Sequence, residues 1–106
     1  MGKRKLIEQL NEFVIKLNKD FSIKEIILFG SRAKGKQRKD SDIDLMIISD
    51  DFKNMNFFER GAKMYDYWNI DLPVDFICYT EKEFNNLKKR VTIAKEALEH
   101  GISLIK

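Results

Sequence analysis

The stretch IILFGSR, residues 26–32, and the stretch SDIDLMII, residues 41–48, decide the fold of this chain. The first starts as an apolar run with high β propensity and changes at Gly30 into a polar, helix-compatible segment, which predicts a strand followed by a helix. A glycine at this turn lets the backbone approach a ligand, and the N–H groups that open the helix attract anions. Gly30 and Ser31 are therefore predicted to bind phosphate.

Paired acids occupy the second stretch, where ten residues separate Ser31 from Asp42. Because side chains alternate across a strand, Asp42 and Asp44 point to one face and Ile43 points to the other. Two adjacent carboxylates repel each other, and a hard divalent cation such as Mg²⁺ relieves the repulsion by accepting oxygen ligands from both. The sequence therefore predicts a metal site at the start of this strand.

A third acid, Asp75, interrupts the apolar pattern of residues 73–79, PVDFICY. A lone carboxylate in a strand that is otherwise buried costs free energy unless a cation or hydrogen bonds compensate it. Three acids on adjacent strands beside a phosphate-binding turn favour metal-assisted phosphoryl or nucleotidyl transfer. In that chemistry two metals about 3.5 to 4 Å apart activate the attacking oxygen and stabilise the leaving one.

Each of these residues also has a purely structural interpretation. Asp42 and Asp44 can mark the entry of a strand from a solvated turn, and the Ser31 hydroxyl can cap a helix whether or not phosphate is bound. The basic segment KGKQRK, residues 34–39, is compatible with solvation alone or with nucleotide binding. Among the cations we favour Arg32 for phosphate contact, because a guanidinium group binds phosphate oxygens in a forked geometry.

Taken together, the segments LFGSRAKG (28–35), SDIDL (41–45) and VDF (74–76) resemble the minimal nucleotidyltransferase branch of the DNA polymerase β-type nucleotidyltransferase superfamily. The pattern of that family is an apolar residue, Gly, Gly or Ser, a spacer, then Asp, an apolar residue and a second acid, with a third acid on a later strand. The resemblance covers nearly the whole chain, and it implies two Mg²⁺ ions as cofactors and ATP as a substrate. It also implies that the acids bind metal and catalyse transfer, and that the Gly-Ser turn holds the triphosphate: Asp42, Asp44 and Asp75, and Gly30 and Ser31.

Length and composition limit the other possibilities. The 106 residues favour one domain spanning residues 1–106, without room for a separate acceptor-binding domain, and 43% hydrophobic with 35% charged residues is typical of a soluble globular protein. No apolar run is long enough to cross a bilayer and no secretory signal is recognisable, so we expect a cytoplasmic location. Cys78 is expected to be buried in a strand and His100 to lie at the surface or to cap a helix. The net charge of +3 is too small to indicate direct nucleic-acid binding.

Hydrophobic periodicity predicts a first helix over about residues 3–18 and a last helix over about residues 81–99, with Gly101 as its C-cap. Between them we expect strands around residues 26, 43 and 75, a short helix near Ser31 and a further helix that ends before Pro73. The predicted fold class is α/β (α+β), a small mixed sheet with helices packed on one face and the acidic face open. The resemblance implies the same palm-like nucleotidyltransferase fold.

The segment from Phe52 to Trp68 contains six aromatic residues, more than one helical stripe can bury in so small a domain. Core packing accounts for most of them, and partner contact is the alternative. The resemblance implies that the partner is a HEPN-domain toxin, which the chain neutralises as an antitoxin by moving AMP from ATP to a tyrosine. Two alternatives remain open: an antitoxin that acts by binding alone, and an adenylyltransferase of small molecules such as aminoglycosides. The intact acids favour the first function, and the missing acceptor domain weighs against the last.

Overall fold

A computed structural model describes residues 3–29, 43–90, 99 and 101–104 of the chain. These ranges contain three helices, a 3₁₀ turn and four strands. They are α1 (Lys3–Asp20), β1 (Ile23–Phe29), β2 (Ile43–Ser49), the 3₁₀ turn (Asp50–Phe52), α2 (Phe57–Tyr65), β3 (Val74–Tyr79), α3 (Glu81–Leu87) and β4 (Ile102–Ser103).

The strands form one mixed sheet in the order β3-β2-β1-β4. β1 runs antiparallel to β2 and to β4, whereas β2 and β3 run parallel because α2 lies in the connection between them. The mixed sheet and the α/β class predicted from the sequence are thus confirmed. β4 was not predicted, since two residues that pair with Ile27 and Leu28 are too short to show a strand pattern.

The two faces of the sheet are covered differently. One face packs against α1 and α2 in the main core, and the other packs against α3 in a smaller cluster. The predicted packing of helices on one face therefore holds for α1 and α2 but not for α3, because Phe84 provides α3 with an apolar contact on the opposite face. The buried residues of the smaller cluster are Ile27, Phe29, Met46, Ile48 and Phe84.

α1 forms where the apolar spacing predicts a helix, and it ends at Asp20 instead of residue 18. Its inward stripe includes Leu10, Phe13 and Leu17, which are all buried against the sheet. Burial of such side chains contributes about 1.5 to 3 kcal/mol each to folding, so this stripe anchors the helix. Within the described ranges, no helix combines the length and the apolar character that crossing a membrane requires.

α3 is shorter than the predicted helix over 81–99, since it ends at Leu87. Its start is fixed by a capping box, in which Glu83 N–H donates to Thr80 Oγ1 at 3.3 Å and Thr80 N–H donates to Glu83 Oε1 at 2.8 Å. Two asparagines, Asn85 and Asn86, which have low helix propensity, then lie in its last turn. The rest of the predicted helix, residues 91–98, lies outside the described residues, as does His100.

A buried arginine joins α2 to β3 and α3. Arg60 Nε donates to the carbonyl oxygens of Phe52 and Met55, and its Nη1 donates to the carbonyl oxygen of Cys78. The same Nη1 lies 2.7 Å from Glu83 Oε1 in an ion pair. The hydrogen bond from Arg60 is the main reason that the pKa of Glu83 lies below its ordinary value. These contacts fix the angle between α2 and the sheet.

Candidate active site

Two of the predicted acids lie side by side at one end of the sheet. In the parallel ladder Asp44 of β2 pairs with Asp75 of β3, and across the antiparallel ladder Asp44 pairs with Phe29 of β1. Neighbouring strands are about 4.8 Å apart, so paired residues place their side chains next to each other on the same face. Asp44 is half-buried and Asp75 is exposed. The structure therefore brings two carboxylates together at an open edge.

An apolar layer borders this pair of acids on the same face. The next side chains along the three strands are Ile27, Met46 and Ile77, which belong to the smaller cluster beneath α3. α3 covers this cluster through Phe84, whereas Asp75 remains exposed. Packed apolar side chains thus border the carboxylates on one side, and the other side is open to solvent. This arrangement favours a fixed geometry for ligands.

The donor chemistry of Asp44 and Asp75 suits Mg²⁺, because both side chains offer hard carboxylate oxygens. Two adjacent carboxylates also repel each other, and a bound divalent cation would lower that repulsion. Among the described residues, including this pair and its surroundings, no three His, Cys, Asp or Glu side chains lie together in a group that could hold a metal ion. Asp42, the third predicted ligand, precedes Ile43 in the chain and lies outside the described residues. The described residues thus include two of the three predicted carboxylates, side by side in the ladder.

The predicted phosphate-binding residues also lie outside the described ranges. Gly30, Ser31 and Arg32 follow Phe29, the last residue of β1, and the segment 30–42 connects β1 to β2. Because Phe29 and Asp44 are partners in the ladder, both ends of this connection lie at the end of the sheet that carries the two acids. The roles of these residues in binding nucleotide remain predictions, as do the metal roles of the acids.

The aromatic segment divides between core and surface. Phe52 is buried, and Tyr67 and Trp68 pack against the main core, as core packing requires. Phe57 and Phe58, at the start of α2, are 52% and 86% exposed. Tyr65 is also exposed, so partner contact by this segment stays a prediction that concerns these three side chains.

Cys78 is buried in β3, as predicted. Its burial raises the pKa of the thiol to about 12, so it is not a nucleophile at neutral pH. Sequence reasoning overlooked Arg60, whose partners come from four separate places in the chain. The only local indication was a capping-box pattern around Thr80 and Glu83, which marks the helix start but does not reveal the arginine.

Comparison with known proteins agrees with this geometry. A family model described as a nucleotidyltransferase domain matches residues 7–102. The chain therefore belongs to the nucleotidyltransferase domain family, and it is a nucleotidyltransferase by class. A protein of Methanocaldococcus jannaschii that is named as a candidate protein adenylyltransferase is 30% identical over 100 residues, which cover 89% of this chain and 97% of the relative. MntA of Haemophilus influenzae, assigned as a protein adenylyltransferase, is 35% identical over 78 residues, which cover 70% of this chain and 67% of that protein.

Solved structures share the same architecture. A candidate nucleotidyltransferase from Sulfolobus solfataricus has a TM-score of 0.69 and 24% identity, with 97% of this chain and 87% of that chain covered. This likeness supports the fold alone. A toxin–antitoxin complex with AMP-PNP has a TM-score of 0.59 and 25% identity, with 89% of this chain and 71% of that chain covered. The predicted resemblance to nucleotidyltransferases is thus confirmed.

Proposed function

We propose that the chain is a Mg²⁺-dependent protein adenylyltransferase that moves AMP from ATP to a tyrosine of a HEPN-domain toxin and so acts as its antitoxin. The observation that carries this proposal is the pairing of Asp44 with Asp75 at the open edge of the sheet, within a nucleotidyltransferase domain. Two carboxylates in this position have no core-packing role. Their placement supports a role as ligands of a metal that binds the triphosphate.

The residues of the site divide into two groups with different roles in the proposed reaction. Asp42, Asp44 and Asp75 hold the metal, and Gly30, Ser31 and Arg32 bind the triphosphate. The acceptor phenol oxygen forms a bond to the α-phosphorus of ATP, and the bond from that phosphorus to the bridging oxygen of the β-phosphate breaks. Pyrophosphate leaves, and the phenolic proton passes to solvent. When bound, Mg²⁺ neutralises charge on the phosphates and lowers the pKa of a coordinated oxygen.

The relatives support the choice of a protein as the acceptor. Two of them are assigned as protein adenylyltransferases, and the one from Methanocaldococcus jannaschii is matched over 97% of its length. The acceptor is proposed to sit on another molecule in the cytoplasm. The toxin–antitoxin complex with AMP-PNP supports a toxin as that molecule.

Transfer of label from [α-³²P]ATP tests the proposal. The chain is incubated with Mg²⁺, labelled ATP and the protein encoded by the neighbouring reading frame, and parallel reactions contain an aminoglycoside or RNA as the acceptor. The Asp42→Asn/Asp44→Asn double variant serves as the inactive control. We expect label on the neighbouring protein with the native chain alone, and no label with the double variant or with EDTA.

The other outcomes separate the alternatives. If the double variant inhibits the neighbour equally well and no label is transferred, the chain is an antitoxin that acts by binding alone. If label accumulates on the aminoglycoside and not on the protein, the acceptor is a small molecule. Either result would overturn the proposed function.

A further inference from the structure

The start of β3 is held from the α2 side by two side-chain hydrogen bonds. The hydroxyl of Tyr65 donates to the carbonyl oxygen of Val74 at 2.5 Å, and the indole N–H of Trp68 donates to the carbonyl oxygen of Leu72 at 3.1 Å. On the other side, Ile43 N–H of β2 donates to the carbonyl oxygen of Pro73 at 2.9 Å. Three successive carbonyl groups before Asp75 are thus fixed.

Aromatic rings surround the residue that follows Asp75. The Phe76 ring contacts Tyr65, Trp68 and Phe13, with centroid distances of 5.0, 5.7 and 5.8 Å. Such pairs stabilise by about 0.5 to 1.5 kcal/mol each beyond their buried area. Since side chains alternate, the ring of Phe76 is locked into one face of the sheet while Asp75 stands on the other.

Tyr65 acts on the peptide group that carries Asp75. The carbonyl of Val74 and the N–H of Asp75 belong to the same planar peptide, so a hydrogen bond to one fixes the orientation of both. β3 is the last strand in the order of the sheet and pairs with β2 alone among the described strands, so it lacks a second neighbour to hold it. Tyr65 itself is 51% exposed, so the contact of its ring with Phe76 buries it only in part.

We infer that Tyr65 is a positioning residue for Asp75: its hydroxyl holds the Val74–Asp75 peptide so that the Asp75 carboxylate meets a divalent cation beside Asp44. This inference rests on the proposed function, because the cation is the one that nucleotidyl transfer would use. Ligands must be held to within about 0.5 Å for productive geometry, and the hydrogen bond from Tyr65 adds a restraint at this end of the strand.

Tyr65→Phe tests the inference, with Tyr67→Phe as the matched control. Tyr67 is two residues away, packs against the same core and donates its hydroxyl to Asp20 Oδ2 at 2.7 Å, away from the acids. Both variants lose one phenolic hydroxyl. The first readout is hydrogen exchange of the peptide spanning residues 70–80, which we expect to be faster in Tyr65→Phe than in Tyr67→Phe.

The second readout is the Mn²⁺ concentration that produces half of the rise in unfolding temperature at a fixed concentration of AMP-PNP. We expect Tyr65→Phe to raise this concentration about tenfold, equivalent to about 1.4 kcal/mol, and Tyr67→Phe to leave it unchanged.

Failure of the inference and failure of the proposed function give different results. If the native chain responds to Mn²⁺ and Tyr65→Phe and Tyr67→Phe need the same Mn²⁺ concentration, only the positioning role of Tyr65 is overturned. Absence of any Mn²⁺ effect in the native chain, or a native response to Mn²⁺ in Asp75→Asn, would overturn the metal site and with it both proposals.

Discussion

Replacing Asp75 by Asn removes one of two like charges that face each other across β2 and β3. Two unit charges about 5 Å apart repel by about 0.8 kcal/mol in bulk water and by about 3 kcal/mol at an effective dielectric constant of about 20. Asp75 is exposed, so the lower limit applies and the expected relief is about 1 kcal/mol. Without metal, Asp75→Asn should therefore be more stable than the native chain, by about 4 to 8 °C in the unfolding midpoint.

Mg²⁺ and ATP should reverse this order. A ligand that binds only the native state at a hundredfold excess over its Kd adds about 2.7 kcal/mol of stability. The native chain should gain this amount, and the variant, which lacks one metal ligand, should gain little. The native chain then becomes the more stable of the two by about 1 to 2 kcal/mol.

Thermal unfolding in EDTA, in Mg²⁺ alone and in Mg²⁺ with ATP measures this crossover. Asp71→Asn is the matched control, because Asp71 is exposed in the segment before β3 and is not paired with Asp44. It should behave as the native chain does under all three conditions. Added salt should reduce the difference in EDTA, since charges are screened over about 8 Å at 0.15 M. A variant that is less stable in EDTA, or that gains as much from Mg²⁺ and ATP as the native chain, would refute the reasoning.

Other sites yield predictions that do not involve the metal. Arg60→Met should lower the free energy of unfolding in urea by about 3 kcal/mol, because three backbone carbonyls lose a charged donor. Since the pKa of Glu83 is lowered in the fold, the stability it adds is complete above its ordinary pKa of 4.5 and is lost as the pH falls through the lowered value; Glu83→Gln should remove this acid-dependent loss. Iodoacetamide at pH 8 should leave Cys78 unmodified in the native chain and alkylate it in urea, and native labelling would contradict its burial. Phe58→Ser should leave stability unchanged and weaken binding of the partner toxin in a pull-down, and unchanged binding would exclude this surface.

Much of the sheet and its acidic edge could be predicted from the sequence. Alternation along a strand depends on the backbone alone, so the face of Asp44 followed directly from the apolar residues on either side. Asp75 could be recognised because a carboxylate in an apolar strand costs free energy unless a cation or hydrogen bonds compensate it. α1 was equally clear, since its apolar stripe repeats over several turns.

The remaining features depend on contacts between distant parts of the chain. Arginine is a residue type expected at the surface. Arg60 is buried because three backbone carbonyl oxygens and the Glu83 carboxylate accept hydrogen bonds from its guanidinium group. α3 packs on the face predicted to be open because Phe84 and Leu87 provide its apolar contacts. Tyr65 lies within an aromatic segment in which sequence reasoning could not tell core residues from others, and only the fold brings its hydroxyl to Val74.

Mass spectrometry of the partner toxin tests the central claim most directly. The toxin is purified after co-expression with the native chain and, separately, with the Asp42→Asn/Asp44→Asn double variant, and its intact mass and its tyrosine-containing peptides are compared. We predict that the toxin carries one or more AMP units on a tyrosine after co-expression with the native chain and none after co-expression with the double variant. An unmodified toxin that the native chain and the double variant inhibit equally would contradict the claim that these acids catalyse nucleotidyl transfer.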